Sequence, residues 1–75
     1  MKSKKLQLIE KKMDWLRSLK EGEELSGQLA SPKECYTLSV LIAKLNSIQS
    51  EEKGYKIRAH YYASRSQVTI YTVPL

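Results

Sequence analysis

The side chains able to do chemistry are few and scattered. Cys35 is the single cysteine and His60 the single histidine. A nucleophilic thiol needs a cationic or basic neighbour to lower its pKa. Cys35 instead has Glu34 beside it, and the imidazole lies far off in sequence. A catalytic imidazole needs a nucleophile or carboxylate to work with, and residues 55–75 contain no Asp or Glu. The pairs Glu23-Glu24 and Glu51-Glu52 are sequence neighbours, so their carboxylates diverge instead of converging on a metal or a proton. Neither a Gly-rich phosphate loop nor the Cys/His spacing of a zinc site occurs. The expectation is a protein that is not an enzyme, with no cofactor, no metal ligands and no small-molecule substrate.

Charge suggests a different chemistry. The net charge is +5 and unevenly placed. Residues 1–20 carry Lys2, Lys4, Lys5, Lys11, Lys12, Arg17 and Lys20 against Glu10 and Asp14. The middle is acidic, and residues 55–75 carry Lys56, Arg58 and Arg65 with no acid. Basic ends favour anionic partners, nucleic acid first among them. The run Tyr55 to Ala63 alternates with period two, so Lys56, Arg58, His60 and Tyr62 share one face of a strand. A second run, Val68 to Val73, adds Thr69 and Tyr71 to that face when the two pair as a hairpin. Cations interleaved with tyrosines suit the stacking of bases and the holding of phosphates. The expected nucleic-acid contacts are Lys56, Arg58, His60, Tyr62, Arg65 and Tyr71, in a regulatory or accessory role.

The elements that must position these residues follow from periodicity and capping. Leu6, Ile9, Met13 and Leu16 recur at helical spacing and predict a first helix from Lys4 to Lys20, stopped by Glu21-Gly22. Glu23 to Leu29 alternates weakly and predicts a short strand, with Gly27 marking a weak point or a bulge. Ser31, Pro32 and Glu34 read as a capping box that opens a second helix. Its apolar face is Leu38, Leu41, Ile42, Leu45 and Ile48, and it ends before Gly54. The predicted fold is α+β: helix, short strand, helix, β-hairpin. Strand order 1-3-2 puts both helices on one face, and Leu38, Leu41, Ile42, Leu45, Ile57 and Ile70 form the core. A second reading comes from the first helix, whose Leu8, Ile9, Met13, Trp15 and Leu19 offer more apolar surface than a small core covers. Such surface marks a protein-interaction module, a homodimer or an inhibitor or adaptor docking on a larger protein.

Seventy-five residues make a single domain, residues 1–75. A lone thiol forms no internal disulfide and fits a reducing, cytoplasmic setting. The apolar run Val40-Leu41-Ile42-Ala43 is too short to span a bilayer, so no membrane association is expected. Leu19-Lys20-Glu21-Gly22-Glu23, a capped helix ending in Leu45-Asn46 and a basic terminal hairpin together resemble small proteins carried by bacteriophages and other mobile elements. The resemblance covers roughly residues 19–73 and implies DNA-binding regulation or interference with a host protein. The pattern also resembles a reduced winged helix with the hairpin as its wing, but a strand separates the two helices that such a fold joins by a turn.

Overall fold

A computed structural model describes residues 6–75. Its elements are α1 (Lys12–Arg17), β1 (Glu24–Gln28), α2 (Glu34–Lys53), β2 (Tyr55–Tyr62), a 3-10 turn at Ala63–Arg65 and β3 (Gln67–Pro74). The three strands form an antiparallel sheet in the order β1-β3-β2, the α+β arrangement and strand order predicted. Period-two alternation divides the sheet into two faces. Leu25, Gly27, Val68, Ile70, Ile57, Ala59 and Tyr61 point to one side, where Leu16, Leu19, Leu38, Ile42 and Leu45 meet them in the core. Both helices therefore lie on the same face, α1 over β1 and α2 along β2. No helix among the described residues is long and apolar enough to cross a membrane.

The first helix is shorter than its apolar spacing predicts. Residues 4–5 lie outside the described residues, and the helix proper covers Lys12–Arg17 alone. Before it the chain is extended: the Ile9 N–H donates to the Gln28 carbonyl at 2.9 Å, and the Gln28 N–H donates to the Gln7 carbonyl at 2.9 Å. Leu8 thereby makes one parallel bridge with Gln28. The physical reason is the free edge of β1, where Gln28 turns its backbone groups away from β3. Pairing them with residues 7–9 satisfies them, which a helix over the same residues would not do.

This extended segment explains Gly27. The β1–β3 register runs unbroken from Glu24 to Gln28, so there is no bulge. A Cβ at Gly27 would instead lie 2.6 Å from Ile9 Cδ1 and Cγ1 and 3.1 Å from Trp15 Cζ2. The missing side chain is the space into which Ile9 and Trp15 pack.

The predicted capping box does not form. The Glu34 and Cys35 N–H groups donate to the Ser31 and Pro32 carbonyls, each at 3.1 Å, so a tight turn feeds α2 without a side-chain cap. Glu34 instead reaches α1, where Lys12 Nζ stands 2.9 Å from Glu34 Oε1. The Lys12 ammonium holds the Glu34 carboxyl below its ordinary range. At its other end α2 stops as predicted: Gly54 takes φ 79°, and its N–H donates to the Ser50 carbonyl at 2.8 Å.

One predicted core residue and one residue of the predicted apolar face are corrected. Leu41 is only half-buried, packed against the core, and Ile48 is 68% exposed. Leu38, Leu45, Ile57 and Ile70 are fully buried, with Ile42 close behind. Asn46 completes the docking of α2. Its Nδ2 donates to the Ile57 carbonyl at 3.0 Å, and its Oδ1 accepts from the Ile57 N–H at 2.9 Å. A helix side chain thus imitates a neighbouring strand on the free edge of β2.

Two stability measurements follow. Gly27→Ala should cost about 1–3 kcal/mol through overpacking, read as a lower urea midpoint. In an Ile9→Ala background the same change should cost much less, because the obstructing atoms are gone. Asn46→Ala should cost about 1–3 kcal/mol, since it strips both partners from Ile57. An unchanged midpoint in Asn46→Ala would remove that contact from the account of how α2 is held.

Candidate functional site

The face of the sheet opposite the helices carries the residues that charge and periodicity single out. Register fixes their arrangement. Arg58 lies opposite Tyr71, with Glu24 beyond it on β1. His60 lies opposite Thr69 and Ser26, and Tyr62 opposite Gln67 and Gln28. Lys56 stands across from Val73 at the far end. Alternate residues on one strand face repeat every ~6.6–6.8 Å, and neighbouring strands are ~4.8 Å apart. The result is a grid of cations and rings on a pleated plane.

No residue on this face is buried, and among the described residues nothing covers it. Arg58 and His60 are exposed, Tyr62 is 41% exposed, and Lys56 and Tyr71 are half-buried. The His60 and Tyr62 rings pack at 4.6 Å between centroids with a tilt of 59°. That contact holds two flat side chains side by side on the surface. Ser26 and Thr69 hydroxyls hydrogen-bond at 2.9 Å and tie β1 to β3 across the same face. Arg65 sits in the 3-10 turn beyond Tyr62 with its side chain exposed. Its carbonyl accepts from Gln28 Nε2 at 2.8 Å, which pins the turn to β1. The fold therefore gathers five of the predicted contacts, Lys56, Arg58, His60, Tyr62 and Tyr71, on one surface and places Arg65 at its end. Glu24 is the one carboxylate in these rows and lies at the β1 corner.

The second predicted surface is not assembled. Ile9 and Leu19 are buried at 6% and 4% exposure, and Met13 and Trp15 pack half-buried against the core. Of that group only Leu8 stands out, at 52% exposed, and it lies in the extended segment instead of on a helix. The apolar excess of residues 6–19 covers β1 and the space above Gly27, so it does not form an exposed docking helix. Cys35 packs half-buried against the core cluster. Among the described residues no group of His, Cys, Asp or Glu side chains converges as metal ligands would.

A groove that sequence reasoning missed runs along the free edge of β2. It has a volume of about 390 Å³ and is lined by Ser39, Ile42 and Ala43 of α2 on one side and by Arg58, Ala59, Tyr61 and Tyr71 on the other. Tyr61 is among its lining residues. Burial raises the Tyr61 hydroxyl above its ordinary pKa; a hydrogen bond with Ser39 partly offsets this, and Cys35 adds to it. Two alternating signals converge here, the core face of β2 and the groove face of α2, but neither shows from sequence how far apart they stand.

The chain matches no family model, no curated protein and no solved structure.

The Tyr61 environment sets an alkaline limit on stability. Its folded pKa lies above the unfolded value of 10.0, so the folded state favours the neutral phenol. That contribution is complete below the unfolded value and is lost as pH rises through the folded one. Urea midpoints measured across this window should fall more steeply for the native chain than for Tyr61→Phe. Parallel curves would mean that Tyr61 is no more buried in the fold than in the unfolded chain.

Proposed function

We propose that the open sheet face binds single-stranded nucleic acid, in a regulatory or accessory role. The observation that carries this reading is the uncovered grid of Arg58, His60, Tyr62 and Tyr71, flanked by Lys56 and Arg65. Tyr62 and Tyr71 offer ring faces to bases, and the guanidiniums and Lys56 neutralise phosphates between them. A pleated face suits a single strand, whose bases are free to splay, better than a duplex, whose grooves call for a protruding helix or ribbon. No side chain reads one base in preference to another here, so the expected binding is tolerant of sequence. The restraint on affinity is size: a domain with three cations at the surface in question makes few phosphate contacts.

Fluorescence titration with labelled oligonucleotides, single- and double-stranded, DNA and RNA, at two or more salt concentrations tests this. Single strands should bind best, with log K falling against log salt at a slope of about −2, roughly 0.7 for each of the phosphates that Lys56, Arg58 and Arg65 neutralise. Arg58→Ala should flatten that slope by about 0.7. Tyr62→Ala should weaken binding by about 1–3 kcal/mol with little change in slope, since stacking does not release counterions. Absent binding at low salt, or affinity indifferent to both substitutions, would refute the reading.

A further inference from the structure

The free edge of β2 is only partly closed. Antiparallel pairing makes alternate residues turn their backbone groups toward β3 or away from it. Ile57 turns away, because its N–H and C=O bond to Asn46. By the same alternation Ala59 and Tyr61 also turn away from β3. Their N–H and C=O groups open into the groove beside α2, and among the described residues no backbone or side-chain group pairs with them. Asn46 therefore acts as a plug at one end of a slot that continues past Ala59 to Tyr61.

Ser39 and Ala43 present small side chains to the groove, and Ile42 supplies an apolar wall beside them. On the opposite bank stand Arg58 and Tyr71. A strand lying between would send alternate side chains toward Ile42 and toward Arg58.

We infer that this groove takes an extended acidic peptide segment of a partner protein, added to the sheet as a fourth strand beside β2. Backbone pairing at Ala59 and Tyr61 supplies the attachment, as in other cases of strand addition to a sheet edge. Charge selects the occupant. From Lys53 to the end the chain carries Lys53, Lys56, Arg58 and Arg65 and no Asp or Glu, and the groove face of α2 is uncharged. A segment alternating apolar residues with carboxylates would put the former on Ile42 and the latter beside Arg58. A second copy of β2 fits poorly, because it would bring its own Arg58 and His60 against those already there, with no carboxylate between them. The inference concerns the edge of the sheet and does not rest on nucleic-acid binding by its face.

The test uses the whole chain, isotopically labelled, and a capped hexapeptide, Glu-Val-Glu-Val-Glu-Val, followed by amide NMR. The Ala59 and Tyr61 amides should shift and become protected from exchange, while the β1 amides stay unmoved. Two further peptides carry N-methyl groups at odd or at even positions. A strand on an edge uses alternate amides only, so one of them should bind like the parent and the other at least about tenfold more weakly. Replacing Glu by Lys in the peptide should also cost about tenfold or more at low salt. The inference is overturned if no edge amide shifts at millimolar peptide, if both N-methylated peptides bind alike, or if the lysine peptide binds as well as the glutamate one. It is equally overturned if Ala59 and Tyr61 are already protected without peptide in a chain of dimeric mass, which would assign the edge to a second copy.

Discussion

A three-stranded sheet has two faces to shield from water, and the two helices of this chain pack against the same one, so the arrangement of every apolar side chain follows from which face they cover. Leu38, Ile42 and Leu45 of α2 and Leu16 of α1 lie against Ile57, Val68 and Ile70. Fully burying such a side chain contributes about 1.5–3 kcal/mol, and in a chain this short few are available to offset conformational entropy. The opposite face has to be polar enough to stay wet. It is, and it is furnished with Arg58, His60, Tyr62 and Tyr71 in place of the neutral Ser and Thr side chains that wetness alone would require.

The same economy of material governs the edges. A sheet in which β3 is central leaves β1 and β2 with unpaired backbone on their outer sides. The extended residues 7–9 close β1 at Gln28, and Asn46 closes β2 at Ile57. Each device uses something already needed elsewhere: Ile9 fills the space over Gly27, and Asn46 sits on the helix that forms the core. Lys12 and Glu34 then join the start of α2 to α1. That ion pair is complete only while Glu34 is ionised; its contribution is present above the ordinary carboxylate pKa and is lost as pH falls through the lowered folded value.

Much of the fold was legible in the sequence where one local signal had one structural meaning. Alternation through Tyr55, Ile57, Ala59 and Tyr61, and the left-handed Gly54 before it, define the α2–β2 boundary and the two faces of the sheet. The residues of the candidate nucleic-acid surface were legible for the same reason, since alternation and register suffice to bring them together. The first helix misled because Leu6, Ile9, Met13 and Leu16 fit a helical period, while the demand that holds residues 7–9 extended arises at Gln28, far along the chain. Glu34 misled similarly: its spacing from Ser31 fits a local cap, but a cation on another element meets its carboxylate. The β2 groove was illegible because its two banks come from α2 and from the sheet, and Asn46 reads in sequence as an ordinary polar helix residue.

The central claim of this account is that the helix-free face of the sheet meets nucleic acid through its rings. Photo-crosslinking to a single-stranded oligonucleotide carrying a photoactivatable base, followed by mass spectrometry of the linked peptides, tests it most directly. Cross-links concentrated on Tyr62 and Tyr71, with His60 beside them, are the predicted result. Cross-links confined to α1 or to the exposed flank of α2, with the β2 and β3 tyrosines unmodified, would contradict it.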